Sequence, residues 1–297
     1  MTPAAASSIM PSIKDAYKDF LNSEYGMRAY NRFKRILYGS HDSLVESLDA
    51  HVLGKMPFAV GSHLNICDVG GGDGVRIRSI LRYLYERFNL RFCLDFVEQS
   101  SVQIHAFECS DICEFTEVRK HETLFEKWRT GSAYDLVFLI HSIFAFEDSD
   151  SFDKVLKLAN SKGTVVIVSN AEDSFLGGLK RILDADYSDR RFEISDVVQS
   201  LMMRGVHFAE KRFQTKWTLQ GDDLQEGIGS ILDWLSLGRY QDFSSGVKQN
   251  VQRYIEDNSR AVGDGLSFCE EEVVLVISEQ DGPSAVSPKS LFSQSAK

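Results

Sequence analysis

Asn65-Ile66-Cys67-Asp68-Val69-Gly70-Gly71-Gly72-Asp73-Gly74 decides the reading of this chain. Its first half is a short apolar run of strand type. Its second half spells D-x-G-x-G-x-G, a turn in which no Cβ keeps another molecule from the backbone. Val75, Ile77, Ile80, Leu81 and Leu84 then fall at helical spacing, so the turn joins a strand to a helix. The free amides of that helix N-terminus face whatever the glycines admit. A second apolar run, Phe92 to Val97, ends on Glu98, which lies 24 residues past Gly74. An acid at the tip of the neighbouring strand suits the two hydroxyls of a ribose.

Other nucleotide sites fail on spacing. A G-x-G-x-x-G fingerprint from Gly70 requires glycine where Val75 stands, and from Gly72 it requires glycine where Ile77 stands. Gly54-Lys55 is followed by Met56 rather than by the Ser or Thr of a phosphate loop.

Working outward, strands are expected at 134–140 and 164–169, with helices at 102–109, around Trp128, at 151–159 and at 194–204. A polar strand is expected near 115–118, another strand near 206–213, and a last one at 273–277. Strand and helix alternate, and the strands are continuously apolar, which predicts an α/β fold: a Rossmann-like, mostly parallel sheet covered by helices on both faces. Ligands of such sheets bind beyond the carboxyl ends of the strands, where Gly74, Glu98, Thr123 and His141 fall. The five prolines stand at 3, 11, 57, 283 and 288, so none interrupts 58–282.

The expected division is a disordered start at 1–11, a helical lid at 12–57 and a core at 58–215. A smaller substrate lobe at 216–260, a closing strand at 261–278 and a disordered tail at 279–297 complete it.

A net charge of −10 with dispersed Lys and Arg speaks against a nucleic-acid substrate. No run of 18 apolar residues is present, and the start carries no signal-peptide pattern, so a cytoplasmic protein without a membrane span is expected. The five cysteines have neither zinc spacing nor an even count, which leaves no metal site and points to a reduced compartment.

The glycine turn and Glu98 together resemble motifs I and II of the class I S-adenosyl-L-methionine (SAM)-dependent methyltransferases. Within them the chain resembles the histamine N-methyltransferase family. Val97-Glu98-Gln99-Ser100-Ser101-Val102-Gln103-Ile104 is similar to that family's V-E-P-S-x-x-Q-I segment, and Lys120-His121-Glu122-Thr123 to its H-K-E-T run. Phe20-Leu21-Asn22 and Leu232-Asp233-Trp234-Leu235 resemble two helices of its substrate lobe. The resemblance implies that SAM is held by Asp68, Gly70, Gly71, Gly72, Glu98, Gln99, Gln103, Thr123 and Ile140.

Three positions depart from the family. His141 stands where it has glutamine, Glu271 where it has a substrate-facing asparagine, and Glu24 lies about two residues out of register with its substrate-binding acid. His141 is the expected general base or substrate contact, since its ordinary pKa suits proton transfer near neutrality. Tyr17, Phe20, Tyr25, Phe144, Trp217 and Trp234 are candidate pocket walls, because aromatic faces attract ammonium and sulfonium groups. Either Glu24 or Glu271 is expected to face a cationic amine. N-methylation of a small amine or amino-acid-derived compound is the first reading. O-methylation and non-catalytic SAM binding remain beside it, with a monomer or weak homodimer expected.

Overall fold

The computed structural model describes residues 12–37, 42–146, 149–185, 187, 190–221 and 223–278. The two termini expected to be disordered lie outside the described residues. The chain opens with three helices, α1 (Ile13–Leu21), α2 (Glu24–Leu37) and α3 (Asp42–His51). Strand β1 (His63–Val69) leads through the glycine turn into α4 (Val75–Phe88), followed by β2 (Arg91–Glu98), α5 (Ser101–Ala106), β3 (Thr116–Glu122) and β4 (Tyr134–Ile140). Next come α6 (Ser149–Leu156), β5 (Ala159–Asn170), α7 (Phe175–Asp184), α8 (Ile194–Met203) and β6 (Ala209–Leu219). Helices α9 (Asp223–Leu235) and α10 (Ser245–Asp257), then β7 (Ser259–Val262) and β8 (Gly265–Ser278), complete it.

The strands form one sheet in the order β3-β2-β1-β4-β5-β8-β6, with β7 paired to β8. From β3 to β5 the pairing is parallel, and β8 runs antiparallel to both β5 and β6. This is the expected α/β sheet with helices on both faces. The physical cause is visible strand by strand: Leu136 to Ile140 and Val165 to Val168 are buried on successive residues, so both pleat faces need cover. Helix α4 supplies part of it through Ile77, Ile80, Leu81 and Leu84, one stripe at i, i+3, i+4 and i+7. Each such burial contributes about 1.5–3 kcal/mol. The helix stops at Asn89, whose left-handed backbone (φ 54°) lets its amide donate to the Tyr85 carbonyl at 2.7 Å.

Several elements differ from expectation. Trp128 directly follows a turn at 125–127 rather than lying in a helix, and its indole packs 5.2 Å from the His121 ring. The strand expected near 206–213 runs over Ala209–Leu219, so Trp217 belongs to the sheet. Its partner β8 begins at Gly265 and carries β7 on the same segment, so sheet extends into a stretch that reads in sequence as lobe. The N-terminal helices divide as well. Leu44, Val45 and Leu48 of α3 join the α4 side of the main core, whereas Phe20 and Phe33 of α1 and α2 pack with Trp234 of α9. No helix among the described residues is long and apolar enough to cross a membrane.

Candidate functional site

The sheet order reverses between β1, which pairs β2 on one side and β4 on the other. A pocket of about 1300 Å³, mouth included, opens beyond the strand ends there. Its floor is the turn Gly70–Asp73. Gly72 has φ 63°, a backbone conformation that favours glycine, and a Cβ on it would stand 2.8 Å from Gln103 Oε1. At Gly74, with φ 71°, the Phe107 ring occupies the place a Cβ would take, at 2.0 Å. Gly74 therefore seats α4 on α5 and its following turn, not the ligand.

Glu98 is 5% exposed at the tip of β2. Its Oε2 accepts from the Gly72 amide at 2.9 Å and its Oε1 from the Ser100 amide at 2.8 Å. Those two bonds orient the carboxylate and leave lone pairs on each oxygen for a ligand. Burial pushes its pKa up, against the lowering by the Ser100, Gly72 and Gln99 amides. Asp68, equally buried, is pushed up to about 8, first by burial and then by Glu98, with Arg76 opposing. A buried carboxyl held protonated is poised to ionise when a cation arrives.

Ser100 also donates from Oγ to the Leu21 carbonyl at 3.1 Å, tying the end of α1 to the start of α5. Through that bond the Phe20-Leu21-Asn22 segment is fixed beside Glu98. Leu21, Tyr17, Tyr30 and Phe33 of α1 and α2 roof the pocket together with Trp234 of α9. Tyr30 lies 4.6 Å from the Trp234 ring, and Tyr17 lies edge-on to Phe144 at 5.1 Å. Lys34 pairs with Asp73 at the floor and lies 4.3 Å over the Tyr30 ring.

His141 follows β4 directly and takes φ 52°, a left-handed turn uncommon for a residue with a Cβ. Its amide donates to the Val168 carbonyl at 2.8 Å, which holds the turn. The imidazole is 10% exposed, and its Nε2 stands 3.5 Å from Glu272 Oε1. Burial, and after it Arg76, pushes His141 below the ordinary imidazole value. On β8, side chains alternate: Glu270 and Glu272 turn inward, while Glu271 turns out to meet Arg212 at 2.9 Å. Glu270 caps α7, accepting from Ser174 Oγ at 2.5 Å, Asn170 Nδ2 at 2.9 Å and the Leu176 amide at 2.9 Å. Burial lifts Glu270 to about 7 in spite of those bonds.

The pocket wall thus brings together Asp68, Gly70, Gly71, Gly72, Glu98, Gln99, Gln103, Thr123 and Ile140 on the side expected to hold a cofactor. Tyr17, His141, Phe144 and Trp234 lie on the other. Five candidates stand off it. Phe20 is buried behind Trp234, and Trp217 stacks on Phe268 at 4.3 Å. Tyr25 donates to Asp233 Oδ2 on the surface. Glu24 is exposed beside Arg28, and Glu271 faces Arg212. Neither acid expected to face an amine therefore borders the pocket. Asn170, Lys180 and Arg191 escaped sequence reading, and of the Glu270-Glu271-Glu272 run the sequence singled out Glu271 rather than Glu272. Asn170 ends β5, so the strand-end rule reaches it, and the period of two along β8 separates Glu272 from Glu271. No local pattern marks Lys180 or Arg191.

No protein-family model and no curated protein sequence matches the chain. Solved structures do match it by fold. Phosphoethanolamine N-methyltransferase 2 of Haemonchus contortus, solved with SAM, is 14% identical with a TM-score of 0.53, over 88% of this chain and 59% of that one. The mycolic acid cyclopropane synthase CmaA1, complexed with S-adenosylhomocysteine, is 12% identical with a TM-score of 0.53, over 90% and 99%. The cyclase SpnF is 12% identical with a TM-score of 0.50, over 91% and 97%. At these identities the likeness establishes the Rossmann-like methyltransferase fold.

Proposed function

We propose that the protein is a SAM-dependent methyltransferase acting on a small molecule. The carrying observation is Glu98: a buried carboxylate at the tip of β2, bonded to the amide of Gly72 in the adjoining glycine turn, with acceptor capacity left for ribose hydroxyls. The residues present fit the cofactor. Gly70, Gly71 and Gly72 line the floor without side chains, and Asp68 offers a carboxylate to an amino-acid ammonium. Tyr17, Tyr30 and Trp234 offer aromatic faces to a cation. When bound, SAM supplies an electrophilic methyl group on a sulfonium.

The chain's own part is mostly positioning and exclusion of water, which suits an in-line displacement. Helices α1 and α2 close the top of the pocket through Tyr17, Leu21 and Phe33. His141, kept neutral by burial, accepts a proton from the acceptor's amine or hydroxyl. The imidazolium so formed lies 3.5 Å from Glu272, which balances its charge. That pair supports O-methylation as the second reading, because a hydroxyl acceptor needs a base most.

The segments resembling histamine N-methyltransferases support an amine acceptor. Trp234, Glu98 and Thr123 of three such segments border the pocket, and Phe20 of a fourth packs behind Trp234 at 5.8 Å.

Calorimetry with S-adenosylhomocysteine tests the cofactor assignment. Glu98→Ala is expected to weaken binding by about 1.5–3 kcal/mol, the contribution of hydrogen bonds to a charged group. Unchanged affinity in that variant refutes it. Methyl transfer from SAM to panels of amines and hydroxyl compounds, read by mass spectrometry of the products, separates N- from O-methylation and both from mere binding.

A further inference from the structure

The far end of the same pocket carries two cations that the methyl-transfer reading leaves unused. Arg191 is 6% exposed. Its Nη2 donates to the Leu235 carbonyl at 2.5 Å and stands 3.1 Å from Asp184 Oδ1, but its buried Nε has no hydrogen-bond partner among the described residues. A buried guanidinium N–H without an acceptor costs free energy that a ligand oxygen recovers. Lys180, on the pocket-facing side of α7, forms no ion pair or hydrogen bond among the described residues. Its Nζ lies 5.6 Å over the Phe144 ring. Glu270, the carboxylate that acts on it most strongly, ahead of Glu193 and Asp184, is already engaged by Ser174, Asn170 and the Leu176 amide. Burial, and then Arg191, pushes the Lys180 ammonium down, against Glu270, Glu193 and Asp184.

Topology separates this pair from the ribose site. Glu98 ends β2, the glycine turn follows β1, His141 follows β4, and Asn170 ends β5 beside α7. Three strand spacings from β2 to β5 amount to roughly 14 Å. Lys180, on the helix that follows β5, therefore lies on the side of His141 away from Glu98, where the acceptor rather than the nucleoside would sit, and Arg191 acts on it from the segment after α7. Arg76 and Lys34 also line the pocket, Arg76 two residues past Gly74 and Lys34 paired with Asp73 of the glycine turn.

We infer that Lys180 and Arg191 form an anion-binding subsite, so that the methyl acceptor carries a carboxylate or phosphate group beside the atom that is methylated. The inference rests on the methyl-transfer reading and narrows its substrate class from amines in general to anion-bearing ones. It also reverses the sign expected at this wall. The sequence pointed to an acid facing a cationic group, and the structure puts Glu24 and Glu271 outside and two cations inside.

The test uses the full chain saturated with S-adenosylhomocysteine and two matched probe pairs, glycine against methylamine and phosphoethanolamine against ethanolamine. Binding is measured by calorimetry in wild type and Lys180→Met. Arg191 also holds Leu235, so the lysine variant is the cleaner one. At least one anionic member is expected to bind about tenfold or more tighter than its partner, the worth of one charge-assisted bond. Which pair shows the preference tells carboxylate from phosphate. Lys180→Met should abolish the preference while leaving the dissociation constant of S-adenosylhomocysteine unchanged. Equal binding within both pairs, no binding by either anionic member, or a preference that survives Lys180→Met overturns the inference. Loss of S-adenosylhomocysteine affinity in Lys180→Met also overturns it, by assigning the lysine to the cofactor. Failure of the cofactor to bind wild-type protein instead sinks the methyl-transfer reading itself.

Discussion

Asp68 makes cofactor affinity a function of pH with a sign that can be worked out. In the free protein its carboxyl is pushed up to about 8, chiefly by burial and next by Glu98. At pH 7 only about one molecule in ten then carries it ionised, and at pH 6 about one in a hundred. A ligand ammonium facing Asp68 favours the anion, so binding lowers that pKa and expels a proton. Affinity for S-adenosylhomocysteine is therefore fully present above about pH 8. It falls by up to tenfold per unit as pH drops toward 6.

The stability of the free protein runs the other way. A carboxyl whose folded pKa exceeds its unfolded value of about 3.9 contributes stability that is present below that value and lost as pH rises through about 8. The thermal shift produced by the ligand should thus grow from pH 6 to pH 8. Calorimetry in buffers of different ionisation enthalpy should count close to one proton released at pH 7. Asp68→Asn should flatten both dependences and weaken binding at pH 8 by about tenfold, the loss of one charge-assisted bond. A flat wild-type profile refutes the reasoning. A slope that persists in Asp68→Asn transfers the proton to another group, with Glu98, also raised by burial, the next to substitute.

Two structural variants follow from the packing. Trp234→Ala removes a ring, 8% exposed, that lies 4.6 to 6.3 Å from those of Tyr30, Phe33, Phe20 and Tyr17. Urea unfolding should show a loss of about 3–5 kcal/mol, with weaker S-adenosylhomocysteine binding as the α1–α2 roof loosens, and a loss below about 1 kcal/mol would show that the roof is held elsewhere. Gly74→Ala combines φ 71° with a Cβ only 2.0 Å from the Phe107 ring, whereas Gly61→Ala has φ 77° and nothing within 4 Å. Both should pay the left-handed penalty of about 1–2 kcal/mol, and only Gly74→Ala should add an overpacking cost of about 1–3 kcal/mol. Equal losses on unfolding would mean that Phe107 moves aside freely.

The sequence by itself determined the parallel half of the sheet and the ligand end of β1 and β2. The signals there are local: apolar runs that fit a strand buried on both faces, glycines at positions needing positive φ, and an acid one residue past an apolar run. Glu98, Gly70 and Gly72 could be singled out in one dimension because the chain that makes the turn also lines the pocket.

What lies across from them was decided only by tertiary structure. Tyr17 and Trp234 are 217 residues apart and meet because α1 and α9 pack together. Three consecutive glutamates on β8 look alike in sequence, yet pairing with β5 and β6 turns 270 and 272 inward and 271 out. Lys180 and Arg191 are ordinary surface residue types until α7 and the segment after it bury them beside Phe144 and Leu235. A strand reports its own burial through its composition, because every residue along it meets the same environment. The direction in which one isolated charge points depends on partners far away in the chain, and no local pattern carries that information.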